Sequence, residues 1–166
     1  MGKSISQRRH LFISHRFVDD ALVGNLTKML NRAGWDIRNS SVRLRQANEQ
    51  RRQNGEIPER ALERLLRMKV SWAQTVVVVI GRTTHRSKWV DYEIEQANRL
   101  GKRIVGIYAR GEREAKLPES LEKYASSIVA WSTQSIREAI DNGENKFETP
   151  DGASREPTNN SARQNC

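Results

Sequence analysis

Apolar positions along this chain switch between two periods, and the switching lays out an alternating series of strands and helices. His10 to Ser14 (HLFIS) is a short strand-like run. Val18, Leu22, Leu26, Met29, Leu30 and Ala33 then recur at helical spacing, and Gly34 stands where such a helix stops. Trp35 begins a second strand that ends near Arg38. Asn39 to Ile57 is polar and arginine-rich with no apolar period, the pattern of a long loop or insertion. Pro58 suits the first turn of a helix whose inward positions are Ala61, Leu62, Leu65 and Leu66.

Thr75 to Gly81 (TVVVVIG) is a continuous β-branched run, as expected of a strand covered on both faces. Ser87 is placed to cap a helix that runs to about Leu100 and stops at Gly101. Ile104 to Tyr108 reads as a strand, Pro118 to Tyr124 as a short helix and Ile128 to Trp131 as a last strand. Ser135 to Ile140 closes the series as a helix behind Ser132 or Thr133. Strands and helices in alternation predict an α/β domain with a doubly wound, mainly parallel sheet of about five strands. The expected organisation is a polar leader over 1–9, one domain over 10–142 and a tail over 143–166. The tail is rich in Asn, Ser, Gly and Pro and is expected to be disordered, because it holds few apolar residues to bury.

Composition narrows the class. A chain of 166 residues fits one domain with a core large enough to need no disulfides. No apolar run approaches the roughly 20 residues that span a bilayer. The leader MGKSISQRRHLF has no apolar core of a secretory signal, so the expected location is the cytoplasm and no membrane partner is expected. The single cysteine is Cys166, which excludes a disulfide framework and a cysteine-based metal site within one chain. The three histidines show no metal-ligand spacing, and no metal is expected. A net charge of +9 and the arginines at 38, 43, 45, 51 and 52 admit three accounts: a solvated basic face, attraction of an anionic dinucleotide, and nucleic-acid binding. No aromatics interleave the basic cluster for base stacking, which sets nucleic acid last.

Candidate chemistry concentrates in Thr75–Glu95. Ligands of open α/β sheets collect at the carboxyl ends of strands, where the next helix begins. On a wheel of about 3.6 residues per turn, Val90, Ile94, Ala97 and Gly101 face the sheet, while Asp91, Glu95 and Arg99 point outward. Glu93 falls on the flank between these faces, looking into the crevice above the sheet. Two accounts fit it: a dipole-favoured helix residue paired with Arg82 or Arg86, or a catalytic carboxylate. Ser14, His15 and Arg16 follow the first strand, and Arg82, Thr83, Thr84 and His85 follow the β-branched one. Basic and hydroxyl groups on one edge suit a phosphate-bearing ligand. The signatures GxGxxG, GxxxxGK[ST] and GxSxG are absent, which argues against a Rossmann dehydrogenase, P-loop phosphoryl transfer and a serine hydrolase elbow.

The segments FISHRFVDD, VVVVIG and RSKWVDYEIEQA, the last followed by GKRIVGIYA, together resemble a TIR-like domain. The resemblance is to the TIR-like family of the bacterial Thoeris anti-phage system, formerly a domain of unknown function. It covers roughly His10 to Trp131, and Ser87, Trp89, Val90 and Glu93 carry most of its specificity. It implies a flavodoxin-like fold and, in active members, cleavage of NAD+ at the nicotinamide–ribose bond. The products would be nicotinamide and a cyclic or conjugated ADP-ribose signal read by a separate effector protein. NAD+ is then substrate, and no resident cofactor is implied. The family's catalytic glutamate corresponds to Glu93 and its ligand-facing segment to Ser14, His15 and Arg16. Substrate contacts are expected from Phe12, Ser14, His15, Arg16, Arg82, Thr83, His85 and Trp89, with Phe12, Trp89 and Tyr92 the aromatics available to wall a pocket. A homo-oligomer is a further expectation. Two departures stand out: His15 replaces an aromatic common after the first-strand serine, and the Arg/Gln/Asn stretch Gln46–Asn54 does not map onto the family pattern. Two alternatives remain: a non-enzymatic TIR-like assembly module, and an N-glycosidase of the nucleoside deoxyribosyltransferase type.

Overall fold

The computed structural model describes residues 10–15, 20–35, 37, 51, 54–56 and 58–158. The β-branched run becomes the strand Thr75–Ile80, buried along its whole length because helices cover both its faces. The elements run β1 (Leu11–Ser14), α1 (Asp20–Arg32), α2 (Glu59–Trp72), β2 (Thr75–Ile80), a 3-10 turn (Thr84–Arg86), α3 (Lys88–Arg99), β3 (Arg103–Tyr108), α4 (Glu119–Tyr124), β4 (Ser127–Val129) and α5 (Thr133–Ile140). The strands form one sheet in the order β1-β2-β3-β4, every neighbouring pair parallel.

Side chains alternate across that sheet and so define two cores. Phe12, Val76, Val78, Ile80, Ile104, Tyr108 and Ile128 meet Leu66 and Val70 of α2, Val90, Ile94 and Ala97 of α3, and Leu121 of α4. On the opposite face Leu11, Ile13, Val77, Val79, Val105, Ile107 and Val129 meet Val23, Leu26 and Leu30 of α1 and Ile136, Ala139 and Ile140 of α5. The result is three layers, with α2, α3 and α4 on one side and α1 and α5 on the other. Gly106 sits mid-strand where a Cβ would come within 3.0 Å of both Ile80 Cδ1 and Leu121 Cδ2. A side chain there would force Ile80 and Leu121 to give way by a few tenths of an ångström.

Three expectations are corrected. The described residues hold four strands rather than about five. Of the expected strand Trp35–Arg38, Trp35 and Ile37 are described and join no strand, while Asp36 and Arg38 lie outside the described residues. Trp35 instead buries its ring in the α1–α5 core and donates its indole N–H to the Asp141 carboxylate. On α2, Ala61 is exposed and the inward positions are Leu66 and Val70, one helical turn apart; the side chains of Leu62 and Leu65 lie outside the described residues.

The third correction concerns the tail. Within Gly143–Thr158, Lys146–Glu148 runs back along β4 and buries Phe147 and Glu148, while most of the rest stays exposed. Ile128 N–H donates to Lys146 O, Glu148 N–H donates to Ile128 O, and Phe147 is buried at 7% exposure. Thr149 and Ala153 close a turn behind it. One aromatic anchor and a backbone ladder order a segment whose average composition argued against order. Residues 159–166 lie outside the described part.

Candidate active site

Glu93 projects from the second turn of α3, a helix whose start is held by Ser87: its hydroxyl accepts the Val90 N–H at 3.2 Å. The connection from β2 is equally specified. The Thr84 hydroxyl accepts the Gly81 N–H at 2.8 Å and donates to Val79 O at 3.4 Å, so this buried side chain locks the loop at the strand end. β1 pairs with β2 so that Ser14 lies opposite Val78. Ser14 and Phe12, two residues apart, face the same side of the sheet as α3.

These constraints bury Glu93 at 3% exposure with the Ser14 hydroxyl before it and the Trp89 ring beside it. Burial pushes the Glu93 carboxyl up from 4.5 to about 8; the Ser14 hydroxyl, the Trp89 indole and the Lys69 ammonium act in the opposite sense. Yet no fully formed hydrogen bond reaches Ser14 Oγ or Glu93 Oε2 among the described residues. A buried carboxylate normally recruits donors, because leaving it without them costs its full desolvation. Glu148, also buried, does so: it accepts from Ala130 N–H and Ser135 Oγ–H, both at 3.1 Å, with Lys146 Nζ 3.9 Å away. The contrast separates a carboxylate fully built into the scaffold from one whose Oε2 receives no formed hydrogen bond, with the Ser14 hydroxyl and Trp89 indole only close by. Such an acid, desolvated and near neutral pH in its titration, is suited to stabilising a nearby positive charge or accepting a hydroxyl proton.

The other expected site residues divide. Ser14, Trp89 and Glu93 are brought together, and Trp89 stacks on Tyr92 with ring centroids 5.8 Å apart. His15 and Thr83 are half-buried at the ends of β1 and β2. His85 is half-buried on the 3-10 turn. Phe12 is fully buried in the core and offers no surface to a ligand, so it does not wall the site. Arg82 points to solvent and faces Glu112 at 3.9 Å, so it is not the partner of Glu93. Arg16 lies outside the described residues. Lys69 was missed, since its sequence position on α2 carries no sign that α2 packs beside α3. At the end of β3, Tyr108 is buried, which raises its pKa against the opposing influence of the Arg155 guanidinium.

A family model, Thoeris protein ThsB, TIR-like domain, matches residues 12–114, from β1 through the residues that follow β3. The chain belongs to this family. The TIR-like domain thus identified has solved neighbours of low identity and similar fold. The Clostridium botulinum CMP N-glycosidase BcmB is 15% identical with a TM-score of 0.50, over 81% of this chain and 99% of that one. The TIR domain of the Toll-related receptor TRR-2 from Hydra magnipapillata is 17% identical with a TM-score of 0.50, over 82% and 94%. At such identities the likeness speaks for the α/β fold. No curated protein matches this sequence. Among the described residues no helix is long and apolar enough to cross a membrane, and no group of three or more His, Cys, Asp or Glu side chains could hold a metal ion.

Proposed function

We propose that this TIR-like domain consumes NAD+, breaking the bond between nicotinamide and ribose with Glu93 as the catalytic carboxylate. The observation that carries the reading is a buried glutamate with unused hydrogen-bonding capacity, set against Ser14 at the sheet's carboxyl edge. Departure of neutral nicotinamide leaves positive charge on C1 and the ring oxygen of the ribose, an oxocarbenium-like species as in glycoside hydrolysis. A carboxylate in a dry site stabilises that charge strongly, and a ribose hydroxyl can supply a donor to the Oε2 that has none. The cationic substrate would itself draw the proton off Glu93. Water attack on C1 yields ADP-ribose and one proton; attack by a nucleophile of the same ADP-ribose unit yields a cyclic product. Family membership supports a role in anti-phage defence, in which the product acts in the cytoplasm as a signal for a separate effector, the TIR-like domain itself working as a homo-oligomer.

The test is nicotinamide release, followed by mass spectrometry in cells during phage infection, for wild type beside Glu93→Gln. Wild type should accumulate nicotinamide and an ADP-ribose derivative, and the variant should lose about 100-fold or more of the activity, the scale of removing one well-placed electrostatic stabiliser. A second reading has one observation in its favour, the fold shared with a CMP N-glycosidase. There the same carboxylate would act on a free nucleoside or nucleotide. Turnover of such compounds with NAD+ left intact would decide for it. If neither is consumed and Glu93→Gln still protects cells, the domain acts by assembly and the enzymatic reading is lost.

A further inference from the structure

On the outer side of α2 and α3 lies a cleft of about 340 Å3 lined by Arg60, Glu63, Arg64, Arg67, Gln96 and Arg99. Arg60, Arg64 and Arg67 recur on α2 at spacings of four and three residues, so their side chains share one helix face. Arg99 enters from the last turn of α3. Like charges at this spacing repel and weaken a helix unless something neutralises them. Among the described residues none of these four guanidiniums forms an ion pair, including with Glu63, the one carboxylate in the lining. Four positive charges against one negative leave the cleft with a net charge of +3.

A second, independent feature is Gln96. It is 6% exposed, lines the cleft, and its amide has no hydrogen-bond partner among the described residues. With its stem packed away, the little of Gln96 that stays exposed includes its amide, which is open to the cleft. Here a concave surface joins four forked donors to an amide open to the cleft, and its volume falls at the lower end of small-ligand pockets. Guanidinium forks match phosphate oxygens two at a time, which a lone lysine ammonium cannot do.

We infer that the cleft between α2 and α3 is a binding site for a small phosphate-bearing ligand, a nucleotide or other polyphosphate, separate from Glu93. Gln96 meets one phosphate oxygen at the inner wall while the arginines clamp the rest. Another basic cavity, about 520 Å3 between α1 and α5, makes a natural control: it holds Lys28 and Arg32, but its Arg137 is engaged with Asp141 at 3.4 Å.

Calorimetric titration of the full chain with inorganic tripolyphosphate, and separately with ADP, tests the assignment. Saturable binding is expected, weakened roughly tenfold or more in the double variant Arg64→Gln/Arg67→Gln, as befits lost charge-assisted bonds. The variant Gln96→Leu keeps every charge and should also weaken binding. Lys28→Gln/Arg32→Gln removes the same number of charges from the other face and should leave it unchanged. Equal loss in that control, or unaltered binding in Gln96→Leu, would show only a solvated basic face and overturn the proposal. So would tighter binding of single-stranded or duplex DNA whose affinity grows with length and falls steeply with salt, the mark of a nucleic-acid surface. Thermal unfolding of each variant checks that the fold persists. Repeating the titration in Glu93→Gln separates the two sites, because binding at the cleft should survive there whether or not the domain consumes NAD+.

Discussion

Two buried glutamates of the same chain have opposite surroundings, and the difference makes a quantitative statement about Glu93. Its carboxyl titrates near 8 in the folded protein against 4.5 when free, because burial disfavours the charged form. Between those values the folded state keeps a proton that the unfolded state releases. Stability therefore falls as pH rises from 4.5 towards 8, by at most about 1.4 kcal/mol per pH unit, and this contribution is flat on either side. Glu93→Gln has no proton to lose, so the stability difference between variant and wild type should widen in the variant's favour from pH 5 to pH 8. Denaturant unfolding midpoints of both proteins across that range give the answer. A pH-independent difference would mean that Glu93 titrates normally and that its burial has no electrostatic consequence. Part of this was legible from residue spacing. The helical wheel separates Glu93 from Asp91 and Glu95, and both Asp91, which accepts from the Ser120 hydroxyl, and the exposed Glu95 lie away from the buried site. The partners were not legible: Ser14 and Lys69 belong to β1 and α2, and only packing of three elements brings them to α3.

At the scale of elements, the strands and helices were read well where local signals are strong. Ser87 caps α3, Ser132 caps α5 and β2 follows the β-branched run. β4 is displaced, occupying Ser127–Val129 rather than Ile128–Trp131, because its pairing with β3 runs from Val105↔Ser127 to Ile107↔Val129. That register is a property of two strands together and leaves Ala130 and Trp131 beyond the ladder. Close approach of elements is a similar matter. Gly106 reads as an unremarkable strand glycine, yet Ile80, Leu121 and Ile128 crowd the space its side chain would take. Gly106→Val should destabilise the domain by about 1–3 kcal/mol, the usual cost of overpacking a filled core. The measurement is the chemical-denaturation midpoint at constant slope; an unchanged midpoint would show that α4 moves aside freely.

At the scale of the whole molecule, the segment after α5 completes the fold. Phe147 fills the end of the core beside Ile128, and its removal should cost about 3–5 kcal/mol, as large-to-small changes of buried aromatics do. Phe147→Ala compared with Tyr124→Ala, an exposed aromatic on α4, checks this by thermal unfolding; equal effects would place Phe147 outside the core. What the sequence determined by itself is whatever depends on neighbours within a few turns: the alternation of strands and helices, their caps, the flank position of Glu93, and the motifs by which the TIR-like family is recognised. The tertiary structure alone decided the burial of Glu93 against Ser14, the withdrawal of Phe12 into the core, the service of Phe147 as anchor, and the cleft that gathers arginines from α2 with Gln96 and Arg99 of α3. The physical reason is range. Backbone periodicity and capping act over a few residues and leave their mark locally, whereas desolvation and charge depend on which distant segments the close-packed core forces together.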